Sequence, residues 1–307
     1  MRARLIGKDP AFKAALMLAR RAAPTHGPVV ICGPTGCGKS LLARFIHEHG
    51  ASPSAPFKEW SAASVPSTLL ESELLGVERG VATGVSERPG IFEAAGRGTV
   101  CLSGLEELSF SQQAILLRLL ETGTAERIGG HRSVRVHARL IATFQEPPET
   151  LVSSSKLRQD LFYRLDLFRV ELPPLHERRE DIPDLFGHFL KAACARQKRP
   201  VPAVSPKLEQ ALAAHDWPGN VRELEQRAEA LASLGKEAVG IEDLPSSFWL
   251  PGEPVAEALR HRMTLDELKD RYTMEVLARV GGRKSEAARW LGISRKSLWE
   301  RLKRGSR

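Results

Sequence analysis

Gly33-Pro34-Thr35-Gly36-Cys37-Gly38-Lys39-Ser40 follows directly on the apolar run Pro28-Val29-Val30-Ile31-Cys32 and leads into Leu41-Leu42-Ala43-Arg44-Phe45-Ile46, which has helical spacing. A glycine-rich turn between strand and helix, ending in Lys-Ser, meets every fixed position of the pattern G-x-x-x-x-G-K-[ST] in its required context. The glycines let backbone N–H groups turn toward a single anion, and the start of the next helix adds partial positive charge. Lys39 can reach the β- and γ-phosphates of a nucleotide, while the Ser40 hydroxyl suits Mg²⁺.

Outward from this loop, strand-like and helical patterns alternate. Thr99-Val100-Cys101-Leu102 and Arg139-Leu140-Ile141-Ala142-Thr143 are apolar runs, and Gln112 to Leu120 between them reads as a helix. Fully apolar strands separated by helices predict a parallel sheet covered on both faces. From about Pro173 the spacing becomes helical, at 181–195, 206–215 and 221–233, with Trp217-Pro218-Gly219-Asn220 separating the last two. Pro245 to Pro254 is rich in Pro, Ser and Gly and reads as a linker. Three helices are expected beyond it, at 265–280, 284–291 and 294–303.

Composition narrows the classes. With 307 residues, 42% of them hydrophobic and 27% charged, the chain is a folded protein of two or three domains. No apolar run approaches the roughly 18 residues of a membrane span, and Met1-Arg2-Ala3-Arg4 begins no signal peptide. A cytoplasmic protein without a membrane partner is expected. Cys32, Cys37, Cys101 and Cys194 are too scattered for a disulfide framework or zinc site, and the nine histidines show no metal spacing.

The net charge of +8 is concentrated at one end: residues 281–307 carry nine Lys/Arg and two acids. Such a compact basic segment suggests a polyanionic partner. Its pattern is that of a helix-turn-helix. Ala287, Ala288 and Leu291 form a small-residue packing face, Gly292 allows a left-handed turn, and Ser294 caps a second helix with Leu298 and Leu302 inward. Arg295, Lys296 and Ser297, near the start of that helix, are the candidates for base-edge contacts in double-stranded DNA. Arg301 and Lys303 are candidates for phosphate contacts. In the preceding helix Leu265, Leu268, Tyr272 and Val276 share one stripe.

Four longer strings carry a family resemblance: Leu69-Leu70-Glu71-Ser72-Glu73-Leu74-Leu75-Gly76, Leu157 to Leu165 (LRQDLFYRL), Leu172 to Pro183 (LPPLHERREDIP) and Trp217 to Leu224 (WPGNVREL). With the phosphate loop and the basic end, they make the chain resemble the sigma-54-dependent bacterial transcription activators from about Leu5 to the C-terminus, in a short form without a receiver domain. The resemblance implies an AAA+ α/β subdomain at 1–172, a helical lid at 173–244, a linker at 245–262 and a Fis-like helix-turn-helix at 263–307. It also implies ATP or ADP with Mg²⁺ as cofactors and RNA polymerase holoenzyme as partner. A homo-oligomer, dimer or ring, or a mixed ring with a related activator, is expected in turn. Arg158 and Arg164 match arginines that reach a neighbouring subunit's nucleotide, where a guanidinium suits charge on a γ-phosphate. Arg222 matches the lid arginine that contacts phosphate, and the Fis-like helix at 265–280 implies dimerisation.

Departures from the family pattern are specific. Where the family ends a strand with Asp-Glu, this chain has Ser103-Gly104, and neither can ligate Mg²⁺ as a carboxylate or act as a general base. Ser61 replaces the asparagine that holds that Glu, and Gln145 stands at the first-sensor asparagine. The sigma-54 contact loop reads Gly80-Val81-Ala82-Thr83-Gly84-Val85, with Ala82 in place of an aromatic ring. A missing general base costs roughly 10²–10⁴ in rate. The expectation is a DNA-binding regulator that binds ATP with weak or absent hydrolysis and altered sigma-54 contact. In the alternative, Glu106 or Glu107 swings in as a substitute acid in a working ATPase, with Glu106 the residue named for it, although a solvated position at the start of a helical turn is the plainer expectation for both. A third reading keeps the nucleotide fixed as a structural adaptor.

Overall fold

A computed structural model describes residues 5–79, 86–130, 133–245, 263–280 and 283–304. Five strands, β1 (Val29–Cys32), β2 (Phe57–Ser61), β3 (Thr99–Ser103), β4 (Arg139–Phe144) and β5 (Phe168–Glu171), pair in the order β2-β3-β4-β1-β5. All four pairings are parallel. The strand carrying the phosphate loop is thus an inner strand, flanked by β4 and β5, and β1 is buried at every residue.

Alternate residues of the inner strands feed two cores, as a sheet covered on both faces requires. Val30, Val100, Leu102, Leu140, Ala142 and Phe144 pack on one face with Phe92, Leu105, Leu116 and Leu161. Val29, Ile31, Cys101, Ile141 and Val170 pack on the other with Phe12, Ala19, Leu42 and Ile46. The second face is covered by α1 (Pro10–Ala22), capped by Asp9, and by α2 (Lys39–Glu48), which leaves the phosphate loop. Beyond them come α3 (Leu70–Leu75), α4 (Ile91–Ala95), α5 (Phe110–Thr122), α6 (Pro148–Ser153) and α7 (Gln159–Leu165). A capping box of Ser109 and Gln112 starts α5.

The chain divides into two compact units, residues 1–201 with 213–235, and residues 202–212 with 236–307. The first unit also holds α8 (Ile182–Arg196). Helix α9 (Pro206–Ala214) crosses the division in sequence, and α10 (Asn220–Ser233), in the first unit, packs along α8. In the second unit Ala203–Val204 pairs in parallel with Ala238–Val239. That unit also contains α11 (Leu265–Arg279), α12 (Lys284–Trp290) and α13 (Arg295–Arg304). Apart from Pro245, the expected linker at 245–262 lies outside the described residues. Among the described residues no helix is long and apolar enough to cross a membrane.

Candidate nucleotide site and nucleic-acid interface

The loop from Gly33 to Gly38 is shaped by its glycines. Gly33, Gly36 and Gly38 have φ of +151°, +78° and +111°, conformations costly for any residue with a Cβ. A Cβ at Gly36 would lie 2.2 Å from the Gly219 carbonyl oxygen, and one at Gly33 would lie 2.7 Å from that of Leu172. The loop is thus wrapped by backbone on its outer side. Lys39 Nζ folds into the loop and donates to the carbonyls of Gly33 and Pro34 at 2.6 and 3.0 Å. Burial holds this ammonium below its usual pKa, and the neighbouring Arg222 charge acts in the same direction. A desolvated cation beside turned backbone N–H groups is the electrostatic complement of a polyphosphate, so these residues fit the nucleotide expected from the sequence.

A cavity of about 900 Å³ opens from this loop. Its lining includes Thr35 through Ser40 of the loop, Ser103, Gly104 and Glu106 after β3, Thr143 and Gln145 at the end of β4, and Arg222 and Glu225 of α10. Leu5, Ile6, Leu172, Leu185 and Phe189 give it an apolar end, suited to a base. The loop is braced by Arg178, which is only 2% exposed, also lines the cavity, and donates from Nη2 to the Cys37 carbonyl at 3.0 Å. Its guanidinium lies 4.7 Å from the centroid of the Phe12 ring, and Asp181 stands 3.9 Å away, accepting from the Lys8 and Asp9 N–H groups. Spacing alone marks neither Arg178 nor Asp181 as a loop support, because their partners lie far away in the chain. The four cysteines are buried, and burial pushes the Cys32 and Cys101 thiols up to about 12.

At the wall where the family pattern places a carboxylate pair, Ser103 ends β3 with its Oγ donating to the Trp60 carbonyl at 3.4 Å. Gly104 follows at φ +74° and turns the chain into the short helical turn Leu105–Glu107. This turn corrects the expectation that Glu106 is solvated. Glu106 lines the cavity, its Oε2 is buried without a hydrogen-bond partner among the described residues, and burial raises its carboxyl pKa. The cause is the reversal at Gly104, which folds the chain back under the cavity. Glu106 and Glu225 are the acids among the lining residues. Gln145 accepts from Thr35 Oγ1 at 2.9 Å, tying the end of β4 to the loop.

Arg158 and Arg164 lie outside the cavity. Arg158 is the N-cap of α7, pairs with Asp160 at 2.7 Å, and donates its backbone N–H to Gln113. Arg164 Nη2 donates to the Leu120 carbonyl at 3.0 Å. Gln113 is fully buried and its Nε2 also donates to the carbonyls of Leu108 and Lys156. The turn holding Glu106 is therefore joined through one side chain to the start of the arginine helix. Gly80 through Val85, the sigma-contact candidates, lie outside the described residues. On their flanks Glu78 and Glu87 both pair with Arg127, which also makes a two-pronged contact with Glu93.

The C-terminal helices form their own small core of Val276, Val280, Ala287, Ala288 and Leu298, with Leu291, Ile293 and Leu302 against it. Gly292 takes φ +66°, and Ser294 Oγ accepts the Ser297 N–H at 3.0 Å, capping α13 as the sequence predicts. Arg295, Lys296 and Ser297 are exposed on the first turn of α13. Arg301 and Lys303 fall within α13, but their side chains lie outside the described residues. On α11, Val276 is buried whereas Leu265 and Tyr272 are 67% and 49% exposed.

Comparison with known proteins gives three family matches in order. Residues 5–171 match the sigma-54 interaction domain, 176–257 the AAA+ ATPase lid domain, and 265–305 the Fis family of bacterial regulatory proteins. The chain is 37% identical over 302 residues to the transcriptional regulatory protein ZraR of Escherichia coli K12, covering 98% of this chain and 68% of that protein. It is 38% identical over 287 residues to the regulatory protein AtoC of the same strain, covering 91% and 62%. Among solved structures it resembles NtrX from Brucella abortus in complex with ADP, with a TM-score of 0.74, 30% identity, and coverage of 99% and 69%. NtrX in complex with ATP gives 0.73 and 31%, with coverage of 98% and 68%.

Proposed function

We propose, from the premise that the chain belongs to the family of sigma-54-dependent transcription regulators, that its bound nucleotide is a signal more than a fuel. The sigma-54 interaction domain, the AAA+ lid and the Fis-type helix-turn-helix are all present. The observation that carries the proposal is a contrast within one cavity: Lys39 and Ser40 of the loop line it, and at the end of β3 it is lined by Ser103 and Gly104 rather than by carboxylates.

On this reading Gly33 to Gly38 cradle the phosphates, Lys39 neutralises them, and Arg222 contacts them from α10. Mg²⁺, when bound, supplies charge neutralisation on the β- and γ-phosphates, and Ser40 is the residue that would hold it. Ser103 can neither take a proton from water at neutral pH nor bring a negative charge to the metal, and Gly104 has no side chain. The loss of a positioned base accounts for roughly 10²–10⁴ in rate, so ATP persists in the pocket. Arg158 and Arg164, which do not line their own subunit's cavity, suit contact with the nucleotide of a neighbouring copy in a ring. Ala82 offers less contact area to sigma-54 than a ring would. The domain boundaries that accompany this reading are 1–172, 173–244, 245–262 and 263–307.

For DNA, the exposed first turn of α13 carries Arg295, Lys296 and Ser297 toward base edges, and Arg301 and Lys303 suit phosphates. The exposed stripe of Leu265 and Tyr272 supports dimerisation through α11, which would present two such helices to a two-fold site. ATP affinity and steady-state hydrolysis, measured on one preparation, test the nucleotide reading. Tight binding with negligible turnover supports it, and turnover near 1 s⁻¹ or faster overturns it.

A second reading has one observation in its favour. Glu106 is among the residues that line the cavity, and its Oε2 is buried without a hydrogen-bond partner among the described residues; a desolvated carboxyl beside a nucleotide site can act as a substitute base once it turns toward the cavity. In that version the chain is an active ATPase that remodels sigma-54 polymerase, and Glu106→Gln abolishes both turnover and transcription.

A further inference from the structure

Asn220, the first residue of α10, is 3% exposed and has φ +52°, a left-handed conformation that asparagine tolerates better than most residues. Nothing in the nucleotide reading uses its side chain, yet both ends of the amide are occupied. Oδ1 accepts the Leu175 N–H at 2.8 Å, and Nδ2 donates to the Thr35 carbonyl at 2.9 Å and more weakly to Pro218 at 3.4 Å. Thr35 is the third residue of the phosphate loop, and its hydroxyl in turn donates to Gln145. Two residues beyond Asn220, the Arg222 N–H donates to the Gly36 carbonyl at 3.3 Å. Gly36 and Gly219 are so close that no Cβ fits between them.

The start of α10 is therefore joined to the crown of the loop by a side-chain bond at residue 220 and a backbone bond at residue 222. We infer that Asn220 is a positioning residue for the phosphate end of the cavity: it locks Arg222 over the phosphate position and makes loop and helix move as one body. The left-handed backbone matters to this arrangement. It turns the chain sharply enough for the Asn220 amide and the Arg222 N–H to meet successive loop residues. When an anion draws the loop's N–H groups inward, the displacement passes to α10 through Thr35 and Gly36, so occupancy alone can shift the lid without bond cleavage. The inference rests on the nucleotide reading of the loop and adds a route by which binding is relayed.

The test uses the full chain and four proteins: wild type, Asn220→Gly, Arg222→Ala and the double variant. Glycine keeps the left-handed backbone and removes only the amide. Dissociation constants for ATP and for adenosine are obtained by competition with a fluorescent ATP analogue. A positioning role predicts that Asn220→Gly weakens ATP by about tenfold, the scale of one charge-assisted contact, with adenosine changed less than twofold. It also predicts that Arg222→Ala costs less than about twofold further in the Asn220→Gly background, because the two residues act as a unit. Equal weakening of ATP and adenosine, or losses that simply multiply, would overturn it and leave Asn220 a structural residue. If the glycine variant unfolds, Asn220→Ser is read the same way; it removes the amide donor to Thr35 and adds no charge beside the phosphates. Failure of the wild type to bind ATP would overturn the nucleotide reading itself, an outcome distinct from binding that is insensitive to residue 220.

Discussion

Ser61 and Ser103 end neighbouring strands β2 and β3 directly opposite each other in the parallel register. Ser103 lines the nucleotide cavity and Ser61 is its register partner on the neighbouring strand, at the positions where the family pattern has the first acid of a pair and an asparagine. At position 104 the packing leaves room for a side chain: a Cβ there would meet Ala62 Cβ and Ala63 N at 3.5 Å, ordinary contact distances.

Restoring the acids should therefore restore chemistry. Ser103→Asp with Gly104→Glu is expected to raise steady-state ATP turnover at least tenfold, within the range a general base contributes. The φ of +74° at residue 104 makes the glutamate cost about 1 kcal/mol of stability. Turnover assays with a thermal melt alongside check both numbers. An unchanged rate in a folded double variant would count against the missing-acid explanation.

Glu106→Gln separates the two catalytic readings and carries a pH signature. Burial raises the Glu106 pKa in the folded state, so the folded protein holds this proton more tightly than the unfolded chain does. The stability associated with it is complete below the unfolded pKa and is lost as pH rises through the folded value. At pH 7–8 the variant should melt above wild type, with the difference shrinking as pH falls below the unfolded carboxyl value. ATP turnover should stay at its low basal level throughout. Loss of a substantial turnover on this substitution would favour the substitute-acid reading instead.

Arg139 joins the end of α1 to β4, donating to the carbonyls of Ala22 and Ala23 at 2.7 Å and of Gly27 at 3.1 Å. No carboxylate pairs with it in those contacts, and burial lowers its pKa to about 10. Arg139→Met removes the donors to the Ala23 and Gly27 carbonyls, while that of Ala22 still accepts from Thr25, and should cost about 2–4 kcal/mol by denaturant titration. Residual ATP affinity at temperatures well below the melt should be unchanged, because Arg139 does not line the nucleotide cavity.

At the basic end, Arg295→Ala and Lys296→Ala should each weaken specific DNA binding by about 1–3 kcal/mol and relax sequence preference. Arg301→Ala should weaken specific and non-specific DNA alike and reduce the salt slope by about one. Binding isotherms on specific and scrambled duplexes at several salt concentrations distinguish these outcomes. Equal effects of Arg295→Ala on both duplexes would move that residue to the phosphate class.

The phosphate loop, the inner strands β1, β3 and β4, and the turn at Gly292 are legible in the sequence because local residue types alone dictate them. A strand covered on both faces is apolar throughout, and a loop that exposes its N–H groups needs glycine. The edge strands are harder to read. β2 is Phe-Lys-Glu-Trp-Ser with two exposed charged residues, and β5 is Phe-Arg-Val-Glu, so neither presents a continuous apolar run. The cavity's back support and lid contacts are also hidden. Arg178 to Cys37 spans 141 residues and Asn220 to Thr35 spans 185, distances across which spacing carries no signal. Glu106 departs from its expected place for a local reason: only the left-handed backbone at Gly104 turns it from solvent toward the cavity.

Titrating the purified protein with Mg-ATP while following phosphate release in the same cuvette separates a stored nucleotide from a spent one. Binding should be saturable and abolished by Lys39→Ala, with the bound nucleotide recovered as ATP after many minutes. Rapid conversion of the bound nucleotide to ADP, at the rate of an ordinary ATPase, would contradict that expectation.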